Sequence, residues 1–151
     1  MEDSSISNEI KQYIVVQIGN EQYGIDIQYI DNIVRLQRIT RVPKAQEYFK
    51  GVINLRGEVL PVMSIRLKFG LDDDEITGKT RIIILKLDSQ STVGIMVDQV
   101  KEVVTMEPEN VEKIQGSSGT KTQYLNGVGK HNDELISLLN IVNVIADIDN
   151  E

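Results

Sequence analysis

The feature that most constrains this chain is that it is written twice. Slid by 70 positions, the segment from Tyr13 to Val34 sets Ile14-Val15-Val16 on Ile84-Leu85-Lys86 and Gly24-Ile25 on Gly94-Ile95. Ile27, Ile30, Ile33 and Val34 then meet Val97, Val100, Val103 and Val104. A second stretch matches at an offset of 76: Tyr48, Gly51-Val52, Val59-Leu60, Val62-Met63 and Ile65 meet Tyr124, Gly127-Val128, Leu135-Ile136, Leu138-Leu139 and Ile141. Any single Val-on-Ile match is cheap, but the ordered set is not, and the change in offset marks one longer loop in the second half. A repeat of this length within 151 residues implies two small subdomains of like construction.

Each repeat reads as short strands. A β-branched run (YIVVQI, RIIILKL) precedes a polar turn, Gly19-Asn20-Glu21 or Asp88-Ser89-Gln90, and a strand around Gly24 or Gly94 completes a hairpin. Apolar residues then fall at spacings of three and four, at Ile27, Ile30, Val34 and at Val97, Val100, Val104. That spacing fits a helical turn, while KEVVTM fits a strand equally well. A second hairpin follows, turning at Arg56-Gly57 and at Asn132-Asp133. Ser64 caps the short segment Ile65 to Phe69, stopped by Gly70. Asn140 caps an amphipathic C-terminal helix carrying Ile141, Val144, Ile145 and Ile148. The expected fold is all-β: two small barrels related by the repeat, with short helices and a C-terminal helix. Subdomain 1 runs over roughly 13–69, an acidic linker over 70–80, subdomain 2 over 81–141, and the helix over 141–148, free to pack across both. Residues 1–11 read as a flexible N-terminus, and Pro108 to Gln123, with Gly116-Ser117-Ser118-Gly119, as a long flexible loop.

The composition points away from several kinds of chemistry. A net charge of −7 disfavours nucleic acid as a partner, since phosphate binding draws on clustered cations. The absence of cysteine removes disulfides, thiolate metal sites and thiol nucleophiles. There is no signal-like N-terminus and no apolar run of membrane-spanning length, so direct membrane insertion is not expected and a cytoplasmic protein is. His131, the only histidine, stands in a hairpin turn without a partner at fixed spacing. Asp72-Asp73-Asp74-Glu75 lacks the alternating ligands and bend glycine of a calcium loop and reads as a solvated linker face. No Walker loop, G-x-S-x-G or G-x-G-x-x-G occurs. The expectation is no enzyme, no cofactor and no metal.

The stretch Val42-Pro43-Lys44 through Tyr48-Phe49-Lys50-Gly51-Val52-Ile53-Asn54-Leu55-Arg56-Gly57 to Pro61-Val62 resembles the signature of the CheW family of chemotaxis coupling proteins. Tyr23-Gly24-Ile25-Asp26-Ile27 and Gly94-Ile95-Met96-Val97-Asp98 do as well. The resemblance spans roughly residues 12–148 and implies two SH3-like five-stranded β-barrels. It implies a non-enzymatic adaptor joining methyl-accepting chemoreceptors, at their cytoplasmic tips, to the regulatory domain of the histidine kinase CheA, recruited to receptor arrays at the inner membrane face. Receptor binding is expected at the groove between the barrels, and kinase docking at exposed strand edges. Arg56, with Asn54 and Asn32, is the candidate receptor-side set, Arg56 either contacting a receptor carboxylate or organising the groove. Where many family members carry Glu, this chain has Asn32, so an ion pair to Arg56 there is in doubt. Ile30 and Gly51 are the kinase-side candidates; Ile30 fits core or interface, and Gly51 fits a backbone necessity better than a contact. The rival readings are a detached regulatory domain of a CheA-like kinase, whose phosphotransfer, dimerisation and ATP-binding domains are not found here, and a small-ligand β-barrel or hydrolase.

Overall fold

The computed structural model describes residues 9–87, 92–114 and 122–149. The Asp88-Ser89-Gln90 turn, the Gly116–Gly119 segment, most of the expected N-terminal tail and the side chain of Ile148 lie outside the described residues. Eleven strands are described: β1 (Lys11–Ile18), β2 (Glu21–Asp26), β3 (Ile30–Arg35), β4 (Phe49–Leu55), β5 (Glu58–Ser64), β6 (Arg81–Lys86), β7 (Thr92–Val97), β8 (Gln99–Met106), β9 (Val111–Lys113), β10 (Leu125–His131) and β11 (Glu134–Leu139). Two helices complete the set, α1 (Ile65–Lys68) and α2 (Ile141–Asp149). No helix among the described residues is long and apolar enough to cross a membrane.

The strands form two sheets, ordered β3-β6-β7-β5-β4 and β8-β1-β2-β11-β10-β9. They do not follow the sequential halves. One compact unit comprises the described residues of Met1–Val16, Glu21–Gln28 and Lys101–Glu151; the other comprises Gln17–Asn20 and Tyr29–Val100. Each sheet therefore takes the β1–β2 type of hairpin from one repeat and the remaining strands from the other. The partition into 13–69 and 81–141 does not describe the packing. The parallel pairs β2–β11 and β5–β7 carry the exchange, placing Gly24 beside Leu138 and Gly94 beside Val62. These are equivalent positions in the two offsets, so the repeat extends to register.

One sequence pairing slips. A Cβ on Gly94 would touch Ile82 and Ile84, and one on Gly24 would touch Tyr13. Val15 lies in one core with Val104, Met106, Ile136 and Leu138, and Ile84 in the other with Ile53, Leu60, Val62, Ile82 and Met96. Val15 thus corresponds to Ile84, not Ile14 to Ile84. A one-residue slip turns every side chain of a strand to the opposite face, and burial identifies the correct register.

The apolar spacing after the first hairpin resolves into a single 3-10 turn, Ile27–Tyr29, followed by strand β3, while the corresponding KEVVTM lies within β8. The segment 108–123 is not wholly loop: β9 pairs with β10, giving that sheet a sixth strand beyond the expected five. The helix caps form as read. The Leu67 amide donates to Ser64 Oγ at 3.1 Å and the Asn143 amide to Asn140 Oδ1 at 3.1 Å. The amides of the two capping residues donate to Tyr48 O and Tyr124 O, both at 2.7 Å. α2 buries Ile141, Val144 and Ile145.

Candidate functional site

Five sequence candidates, Ile30, Asn32, Gly51, Asn54 and Arg56, fall within one unit, on strand β3 and the β4–β5 hairpin. The hairpin ladder ends on the pair Leu55–Glu58, leaving a two-residue turn. Both turn residues have positive φ, 55° at Arg56 and 85° at Gly57, as a type I′ turn requires to match strand twist. Glycine takes that conformation freely; arginine does so at roughly 1–2 kcal/mol, because Cβ crowds the following carbonyl. Asn54 helps hold the turn, its Oδ1 accepting the Gly57 amide at 3.2 Å. The Arg56 side chain is exposed, and its guanidinium has no hydrogen bond or ion pair among the described residues. Across the ladder from Asn54 stands Val59, 64% exposed, so an unpaired cation and an apolar side chain share the end of one hairpin.

Asn32 does not engage Arg56. Its Oδ1 accepts the Ile33 amide at 2.8 Å, next to an irregularity in the β3–β6 register between Ile30 and Asn32. Ile30 is half-buried, opposite Leu85, and Ile33 is half-buried too. Gly51 is buried, with φ 142°; a Cβ there would run into the Thr40 carbonyl, whose strand-like bridge to Val52 continues the sheet past β4. Gly127 occupies the same place in the other unit, where a Cβ would lie 2.6 Å from the Glu112 carbonyl of β9. Gly51 is therefore needed for backbone approach, and whatever this edge offers a partner comes from its neighbours.

Two polar clusters escaped the sequence reading. Arg66 on α1 grips Asp98 with both ends of its fork, Nε to Oδ1 at 2.9 Å and Nη2 to Oδ2 at 2.7 Å. Asp98 also accepts the Gly19 amide at 2.8 Å, while its own amide donates to Gln17 O at 3.0 Å. Burial alone would raise the Asp98 pKa, but Arg66 and the Gly19 amide outweigh it and hold the carboxyl below its ordinary value. The signal was in the offsets: the counterparts of Asp98 and Arg66 are Gln28 and Val142, so this ion pair, which joins one residue from each repeat, forms in one unit only.

The acidic segment 72–75 is not a solvated linker face throughout. The Asp74 side chain is buried, accepting a hydrogen bond from Ser64 Oγ at 2.5 Å, and burial pushes its pKa up. Exposed Asp73 pairs with Lys50 at 2.9 Å. The segment is thus fastened to its unit from both sides.

A family model described as the CheW-like domain matches residues 12–149. The chemotaxis protein CheW of Helicobacter pylori is 32% identical over 139 residues, covering 92% of this chain and 84% of that protein. Among solved structures, the scaffolding protein TtCheW from Thermoanaerobacter tengcongensis gives a TM-score of 0.80 at 30% identity, covering 87% of this chain and 90% of that one. The chemotaxis protein CheA of Treponema pallidum is 28% identical over 104 residues, 66% of this chain but only 12% of that protein.

Proposed function

The chain belongs to the CheW family of chemotaxis adaptors, and from that premise we propose that it holds methyl-accepting chemoreceptors and the histidine kinase CheA together by binding both at once. In this reading the kinase is engaged through its regulatory domain and the receptors through their cytoplasmic tips. The adaptor works in the cytoplasm, at receptor arrays on the inner membrane face, and has no catalytic role of its own. Likeness to a short part of a CheA fits an adaptor that docks on a domain built like itself, while the near full-length match to CheW favours the adaptor over a detached kinase domain. Two modest interfaces acting together suffice, because binding at one raises the effective concentration at the other.

One observation carries the receptor side: Arg56, an exposed cation with no partner among the described residues, occupies a turn position that disfavours it. Strain retained at a surface position without an internal partner motivates a partner outside. Asn54, by bracing the turn, and Asn32, by shaping the adjoining edge, act as positioning residues. The outer surface around Ile30 and Gly51 is the kinase side.

The test is Arg56→Ala. Alanine bears a similar left-handed cost, and the lost charge is unpaired, so the melting temperature should stay within about a degree or two of wild type. Affinity for a receptor cytoplasmic fragment should fall by about 1–3 kcal/mol, the value of a charged hydrogen bond, with kinase affinity retained. Unchanged receptor affinity would remove Arg56 from the site.

A further inference from the structure

The β3–β4 connection reverses the charge of the protein around it. Between positions 35 and 50 stand Arg35, Arg38, Arg41, Lys44 and Lys50 against Glu47 alone, a local excess of four positive charges in a chain of net −7. Of the five, only Lys50 has a hydrogen-bond or ion-pair partner among the described residues. Arg35 even stands directly opposite Arg81 in the β3–β6 ladder, an arrangement that costs stability, and Arg81 turns its guanidinium onto the carbonyls of Gly78 and Thr80. Lys44 adds a left-handed φ of 66°. Arg41 and Lys44 border a cleft of about 890 Å³ whose lining includes Ile39, Phe49, Leu67 and Leu71.

We propose that this basic connection and its cleft form a docking surface for an acidic segment of the partner kinase domain, one carrying an apolar anchor residue that enters the cleft while flanking carboxylates meet Arg38, Arg41 and Lys44. The proposal rests on the adaptor reading above and adds the chemistry of the kinase side. A concave, partly apolar surface fits an inserted side chain rather than a flat lipid headgroup layer. The cleft flanks the start of β4, and Arg56 follows its end. At about 3.3 Å per residue the two surfaces lie roughly 20 Å apart, far enough for two partners to be bound independently.

The experiment compares wild type with the triple variant Arg38→Glu/Arg41→Glu/Lys44→Glu and with its neutral counterpart Arg38→Gln/Arg41→Gln/Lys44→Gln, each verified by thermal melt. Binding to the isolated kinase regulatory domain and to a receptor cytoplasmic fragment is titrated across salt concentrations. Kinase affinity should fall about tenfold or more in the Glu variant and by less in the Gln variant, with a flattened salt dependence, while receptor affinity holds. Unchanged kinase affinity and salt slope in both variants would overturn the proposal. So would tight binding of wild type to phosphatidylserine vesicles that both variants lose, which would make the patch a membrane surface. Failure of Arg56→Ala to alter receptor binding would strike the receptor reading alone, so the two can fail separately.

Discussion

The hairpins β4–β5 and β10–β11 share register and turn length, each ladder closing on a two-residue turn between Leu55 and Glu58 or between His131 and Glu134. Both turns hold two residues at positive φ. At one tip stand Asn132 and Asp133, residue types that enter the left-handed region at low cost because their short polar side chains bond locally; Asn132 Nδ2 lies 3.2 Å from His131 Nε2. At the other stands Arg56, which does not. The backbone demand is the same, so the difference belongs to the side chain. The same asymmetry recurs beyond the tips: Arg66 and Asp98 form a bidentate pair where the other unit has Val142 and Gln28. One unit meets the demands of its fold with residues suited to it, and the other carries polar and charged residues that the fold alone would not select.

The comparison is broken most severely at the paired glycines. Gly51→Ala should cost about 3 kcal/mol or more in denaturant unfolding, since it combines a positive φ with a backbone collision. Gly127→Ala should cost about 1–3 kcal/mol, because its collision comes without the φ penalty. Equal losses would show that the two closures are energetically alike after all.

Next comes the ion pair. Asp98→Ala should destabilise by about 1.5–3 kcal/mol at neutral pH, leaving Arg66 and the Gly19 amide without their acceptor. Because the folded pKa lies below the unfolded value near about 3.9, this stability is fully present above that value and lost as pH falls through the folded pKa. Wild type and variant should therefore converge in acid-titrated melts. A constant gap down to the lowest pH would mean that the loss is one of packing rather than charge.

The smallest effect sharpens the comparison of tips. Arg56→Asn should stabilise by about 0.5–1 kcal/mol, and Asn132→Arg should destabilise by a similar amount, as residues move into or out of a turn that suits them. Receptor affinity should drop in the first and hold in the second. If Arg56→Asn lowers stability, the guanidinium has a structural role and the functional argument from strain fails.

Local interactions explain what the sequence by itself determined. Turns at 56–57 and 132–133, caps at Ser64 and Asn140 and the strand runs depend on residues a few positions apart, and these form where they were read. Of the candidate site, Arg56 and Asn54 were legible because a hairpin tip is surface by construction. Only the tertiary structure could decide which hairpin pairs with which set of strands. The repeats offer chemically similar edges, so β2 could meet β5 or β11 with little local difference, and the parallel pairs that settle it join strands far apart in sequence. The same holds for the one-residue slip that sets Val15 opposite the role of Ile84, the burial of Asp74 beneath Ser64, and the grip of Arg66 on Asp98. Each depends on contacts between distant segments whose faces are fixed only when the sheets pack, and no periodicity within a segment encodes them.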